Sequence, residues 1–145
     1  MTESKLREKM CMFASSMFDR GLTHGSTGNI SVRLNNDDIL VTPSGSSFGR
    51  LDPNQIVKVT KDGKLIGNST PTKELPLHQA FYETRGMKSG AVVHLHSTHS
   101  VALSMLPDVN EDNILPSFTP YSIMLLGKVK LLPFLSQAIQ QWAKL

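Results

Sequence analysis

Apolar side chains recur at Leu6, Met10, Phe13 and Met17, spacings of four, three and four that paint one face of a first helix. Thr2 is placed to cap its start and Gly21 to end it. The period then shortens to two. Ile30, Val32 and Leu34 alternate with Ser31 and Arg33, residues 35–38 read as a turn, and residues 39–42 resume the apolar run, which is the pattern of a hairpin. A second hairpin is predicted from Ile56 to Ile66, where Asp62-Gly63 supplies the positive backbone angles of a tight turn. Between the two hairpins lies a stretch from Pro43 to Asn54 rich in Ser, Gly and Pro.

Thr72 is placed to cap a second helix through Leu75, Gln79 and Tyr82; Pro76 is tolerated there because the first turn needs few amide donors. Ala91 to His96 reads as a buried strand. Ser97 or Thr98 starts a third helix carrying Val101, Leu103 and Met105, and Ile114 to Phe134 is predicted to be β-rich, broken by Pro116, Pro120 and Pro133. Helices interleaved with hairpin-linked strands give an α/β fold, a layered sheet with helices packed on it.

A chain of 145 residues, 39% hydrophobic and 19% charged, fits one domain with a core sufficient without disulfides or a structural metal. A metal, if bound, therefore serves chemistry. The net charge of +3 is scattered, which argues against a nucleic-acid arm or a polybasic membrane patch and suits a small anionic ligand. Cys11 has no internal disulfide partner and reads as a small apolar residue on the first helix. With no signal-peptide pattern and no bilayer-length apolar run, the expected location is the reducing cytoplasm.

The most informative stretch is Val93-His94-Leu95-His96. Alternation along a strand puts His94 and His96 on one face, about 6 to 7 Å apart, close enough to share one ion. The other reading is a pair of satisfied core histidines, and a third ligand has to decide. Glu74 is the candidate, because the helix it opens leads directly into the histidine strand; its alternative is a first-turn Glu that only stabilises its helix. Gly25-Ser26-Thr27-Gly28-Asn29 and Thr42-Pro43-Ser44-Gly45-Ser46-Ser47 are turns able to cradle phosphate, and Lys73 adds a positive charge beside Glu74. Gly45-Ser46-Ser47-Phe48-Gly49 also satisfies the G-x-S-x-G pattern of serine hydrolases, but that motif needs a helix after the Ser, and Arg50-Leu51-Asp52-Pro53 follows. His24, His78 and His99 read as structural, although His78 falls one turn after Glu74.

Gly28-Asn29-Ile30-Ser31, Thr42-Pro43-Ser44-Gly45, Pro71-Thr72-Lys73-Glu74 and His94-Leu95-His96-Ser97, in that order, resemble the class II aldolase and adducin head family. The resemblance covers Leu6 to about Phe134. It implies a three-layer α/β/α domain with a central, mostly antiparallel sheet, assembled as a homo-oligomer, usually a tetramer, with one zinc ion (Zn2+) per subunit. It further implies that Gly28, Asn29, Ser44, Gly45, Thr72 and Lys73 hold the substrate phosphate. His94, His96 and Glu74 would bind zinc, Glu74 would act as acid/base, and Tyr121 would assist proton transfer. Thr72-Lys73 stands where the aldolases commonly have Ser-Ser. With Phe118-Thr119-Pro120-Tyr121 downstream, this looks more like the branch that decarboxylates 3-oxo-tetronate 4-phosphates to dihydroxyacetone phosphate and CO2. An aldolase of the L-fuculose-phosphate type and a non-catalytic, adducin-like module are the alternatives.

Members of the family supply a third zinc histidine from a later His-Gly turn, which this sequence lacks, so weaker zinc binding and an incomplete domain over residues 1–134 are expected. The tail, 135–145, is expected to be atypical. Read in the frame joining each codon's third base to the next two, Gln137 into Ala138 gives Ser or Gly, Gln141 into Trp142 gives Met or Val, and Trp142 into Ala143 gives Gly. A family-like Pro-Gly-Asp-Pro-Ala-Met-Gly-Glu is compatible with that frame, which makes a frameshift one reading and a genuine tail helix using Ile139 and Trp142 the other.

Overall fold

The computed structural model describes residues 1–115 and 119–133. The first helix, α1 (Glu3–Asp19), starts as expected: Thr2 Oγ1 accepts a hydrogen bond from the Lys5 amide at 3.4 Å. Beyond Arg20 it closes with Gly21 at φ 69°, while the amides of Gly21 and Leu22 donate back to the carbonyls of Phe18 and Met17, the pairing that satisfies the last free carbonyls of a helix. The buried stripe differs from the expected one. Met10 and Ala14 are buried, Leu6, Met17 and Phe18 pack beside them, and Phe13 is exposed. The small Ala14 lets the helix sit close to the sheet, and Phe18 takes up the space a side chain on Gly49 would need. Cys11 packs half-buried at the margin of this cluster, and burial pushes its thiol pKa up.

Both predicted hairpins form. Strands β1 (Asn29–Arg33) and β2 (Ile39–Val41) pair antiparallel, as do β3 (Val57–Val59) and β4 (Leu65–Ile66), with Gly63 at φ 80° in the turn between the latter two. The strand β5 (Ala91–His94) is shorter than expected, ending before His96, and pairs antiparallel with β1 in the order β4-β3-β2-β1-β5. Alternation sends Ile30 and Leu40 toward α1 and Ile39, Val41, Val57, Val59 and Val92 toward the opposite face, where Tyr82 and Leu75 cover them. Within residues 1–96 the layering is therefore helix, sheet, helix. Because both faces are covered, Ser31, expected on a polar face, is fully buried.

Tyr82 and Leu75 belong to α2 (Leu75–Arg85), whose N-cap position is Glu74, not Thr72. Thr72 acts one step earlier, its Oγ1 accepting from the Glu74 amide at 3.3 Å. Pro76 falls in the first turn, as expected.

The described residues between Ser97 and Pro133 belong to a second unit. Helix α3 (Thr98–Ser104) starts at Ser97, whose Oγ accepts from the Ser100 amide at 3.5 Å. Helix α4 (Pro120–Leu126) corrects the β-rich expectation for this region: no strand occurs among its described residues. Pro120 opens the helix because its missing N–H falls where the first turn has no acceptor, and Gly127 ends it at φ 66°. Phe118 and the expected atypical tail lie outside the described residues. Among the described residues no helix is long and apolar enough to cross a membrane.

Candidate active site

Three local devices bring the site together. The first is the entry to β1, where Gly28 holds φ 83° and a Cβ on it would lie 3.2 Å from the His94 carbonyl oxygen and 3.2 Å from Thr23 Oγ1. Only glycine meets both demands. The second is the approach to α2: the Thr72 amide donates to the Thr42 carbonyl at 3.0 Å and the Ser44 amide to the Thr70 carbonyl at 2.9 Å. This lays residues 70–72 alongside 42–44, so Thr72-Lys73-Glu74 emerge beside Ser44 and Gly45. The third is the end of β5, where His94 faces Asn29 across the ladder and His96 follows it.

Gly28, Asn29, Ser44, Gly45, Thr72 and Lys73, predicted to bind the substrate, all line one cleft of about 350 Å³. Glu74 and His96 line it too. Since the Ser44 amide is already engaged, its hydroxyl is the group it offers to the cleft. Asn29 is used differently from a simple phosphate ligand: its buried side chain donates from Nδ2 to Glu74 Oε2 at 2.5 Å. Tyr121 lies in the second unit as the second residue of α4, with its side chain exposed.

Glu74, His94 and His96 each offer one ligand atom within 4.8 Å of the others, so the three groups can hold a metal ion. Glu74 Oε2 is 3.3 Å from His94 Nε2, and Glu74 Oε1 is 3.9 Å from His96 Nε2. The imidazole rings stand edge to face with centroids 4.9 Å apart. His94 Nε2 is buried and makes no hydrogen bond among the described residues, although Glu74 is near; the two atoms are close but not aligned. Burial lowers the His94 pKa, the neighbouring His96 pushes it the same way and Glu74 opposes them. A buried imidazole nitrogen without a hydrogen bond, beside a carboxylate and a second imidazole, is a donor set that can hold a metal ion.

Behind Glu74 lies a polar chain that the sequence reading missed. His78 is fully buried, with Nε2 at 2.5 Å from Asn29 Oδ1 and Nδ1 at 2.6 Å from Ser31 Oγ. Ser31 Oγ is in turn 2.8 Å from the Tyr82 hydroxyl. Burial, helped by His94, drives the His78 pKa down to about 4, while burial raises that of Tyr82. In the sequence His78 reads as structural because no diagnostic partner stands near it. The readable signal was the spacing Glu74, His78, Tyr82, one helical face with polar atoms at every turn.

Ser47, the residue a hydrolase reading would make nucleophilic, is buried, is followed by a 3₁₀ turn from Phe48 to Arg50, and makes no hydrogen bond to a base among the described residues. His24 and His99 are both exposed.

An α/β/α unit with a Glu/His/His cluster at a cleft lined by two glycine-bearing turns is suited to a metal ion and a small anionic ligand. Residues 8–143 match the Class II Aldolase and Adducin N-terminal domain family, and the chain belongs to that family. It is 46% identical over 132 residues to a 3-oxo-tetronate 4-phosphate decarboxylase of Escherichia coli, covering 91% of this chain and 62% of that protein. An L-fuculose phosphate aldolase of Haemophilus influenzae is more distant, 37% identical over 73% of this chain and 48% of the aldolase. Among solved structures, YgbL from Escherichia coli superposes with a TM-score of 0.91 at 41% identity, over 98% of this chain and 68% of YgbL. The chain thus spans about 62% of the length of the decarboxylase it matches.

Proposed function

We propose that the chain carries the site of a metal-dependent carbon–carbon lyase acting on a phosphorylated sugar acid, with decarboxylation of a 3-oxo-tetronate 4-phosphate to dihydroxyacetone phosphate and CO2 as the reaction. The observation that carries this reading is one cleft lined at once by both phosphate-type turns, Lys73, Glu74 and His96. The similarity to a decarboxylase over 91% of the chain supports the choice within the family.

Each residue then has a task. The turns at Gly28 and Ser44-Gly45, with the Thr72 hydroxyl, bind the phosphate, and Lys73 at the exposed rim neutralises either the phosphate or the departing carboxylate. His94, His96 and Glu74 hold the metal, for which zinc suits two imidazoles and a carboxylate. When bound, the ion supplies Lewis-acid stabilisation of the negative charge that develops as the bond breaks. Glu74, partly exposed to the cleft, carries the proton that quenches that charge. Tyr121 keeps the role the family resemblance gives it, assisting that transfer. The enzyme is proposed to work in the cytoplasm as a homo-oligomer, a tetramer by resemblance.

The test is to load the purified chain with Zn2+ and supply a 3-oxo-tetronate 4-phosphate, following CO2 and dihydroxyacetone phosphate. Release of both is the expected result. Cleavage of L-fuculose 1-phosphate to an aldehyde, without decarboxylation, would replace this reading by the aldolase one, and a metal-loaded chain that turns over neither substrate would make it a binding module.

A further inference from the structure

We infer that His78 is a positioning residue that fixes which way the Asn29 amide faces and, through it, which oxygen of Glu74 is left for chemistry. The inference deepens the proposed function and rests on its assignment of Glu74.

The direction of the chain follows from donor and acceptor inventory alone. Glu74 Oε2 accepts, so Asn29 must present Nδ2 to it. Asn29 Oδ1 is then the atom facing His78 Nε2, and it only accepts, so that nitrogen must carry the proton. His78 Nδ1 is left as an acceptor and takes the Ser31 O–H. The Ser31 oxygen, having given its proton, accepts from the Tyr82 O–H. Each link joins one donor to one acceptor, and no member can turn round without stranding a buried polar atom, which is costly. The far end is itself held: Arg33 stacks on the Tyr82 ring, 4.6 Å from its centroid, and donates to the Tyr82 carbonyl at 2.8 Å.

The consequence falls on Glu74. Its Oε2 is pinned by Asn29 and sits 3.3 Å from His94 Nε2, whereas Oε1 accepts no hydrogen bond among the described residues and points toward His96 at 3.9 Å. The two oxygens of one carboxylate are thereby made inequivalent, Oε2 as the anchor and Oε1 as the atom that exchanges a proton with substrate. A chain that only filled the core would have no reason to end on a carboxylate inside the cleft.

Nitrogen NMR of the full chain reads the tautomer of His78 directly, without variant or substrate. A proton on Nε2 is expected, and a proton on Nδ1 would overturn the inference. Titration of the apo chain with Co2+, followed by its absorption, supplies the second readout. Loss of a residue that orients a ligand costs about 10 to 100-fold in metal affinity; His78→Phe is expected to fall in that range, while His78→Gln, which keeps an N–H where Nε2 stood, recovers most of the loss. If His78→Phe does not fold, Ser31→Ala stands in for it, since it strips Nδ1 of its donor and removes one of the two partners that hold the ring. Folded His78→Phe, or Ser31→Ala, with wild-type Co2+ affinity would sink the inference. Because none of these measurements involves turnover, a failure to decarboxylate would count against the proposed function and leave this result standing.

Discussion

Asn29 and His94 are cross-strand partners in the ladder between β1 and β5, so the turn proposed to contact phosphate and the strand proposed to supply a metal ligand share one pair of backbones. One residue before Asn29, Gly28 lies so close to the His94 carbonyl that a methyl group would stand 3.2 Å from it. Gly28→Ala is therefore expected to disturb both halves of the site. The left-handed backbone alone costs about 1–2 kcal/mol for a non-glycine residue. Urea denaturation should show at least that loss, and Co2+ titration should show weakened binding; a variant matching the parent in both would contradict the described packing.

Glu74→Gln removes the group able to exchange a proton but keeps an oxygen for Asn29 to donate to. The Glu74 side chain makes no capping hydrogen bond to α2, so the helix should survive. Turnover is expected to fall by roughly 10²–10⁴-fold, the usual contribution of a positioned acid or base, with weaker metal binding. Circular dichroism would verify the fold, and retention of full activity would remove Glu74 from the mechanism.

Lys73→Ser addresses the departure from the aldolase pattern. A hydrogen bond to a charged group contributes about 1.5–3 kcal/mol, so decarboxylation efficiency should drop roughly 10 to 100-fold. If the loss falls on KM, Lys73 holds the phosphate in the ground state; if it falls on kcat, Lys73 acts on the departing carboxylate. An unchanged rate would leave Lys73 with neither task.

The buried imidazole of His78 predicts a pH dependence of stability. Its pKa is about 4 in the folded chain against an ordinary 6.5, so between those values the unfolded state binds a proton that the folded state refuses. Stability is therefore fully present above pH 6.5 and declines as pH falls toward 4, by up to about 3 kcal/mol at 1.36 kcal/mol per pKa unit. Urea midpoints at pH 7.5 and 4.5 would measure it, and His78→Gln should flatten the difference. The same slope in that variant would assign the effect to other groups.

What the residue pattern revealed divides along physical lines. Hairpins were legible because register and turn are local: Asp62-Gly63 needs no distant partner to turn. The site was legible as four motifs because its groups carry chemistry that few other residue types supply. Ser31 was misplaced because period-two alternation cannot say that a second helix will cover the polar face. The cap is predicted at Thr72, two residues too early, because a backbone pairing with Thr42, invisible in sequence, starts α2 at Leu75. The helix at Pro120 was read as a β break because proline interrupts strands and opens helices alike, and only the backbone tells which.

Strand order carries one further consequence. β1 has its sequence neighbour β2 on one side and β5, the last strand among the described residues, on the other, and Asn29 reaches Glu74 across 45 residues. Such distant pairings close a large loop, so their entropy must be lost before any contact repays it. The β2 and β3 pairings can form early, while the cleft exists only once β5 has docked on the open edge of β1. An ion that binds only the finished site stabilises the folded chain by mass action, so metal occupancy becomes a gauge of completed folding, and the rate at which Co2+ colour develops during refolding times the arrival of the last strand.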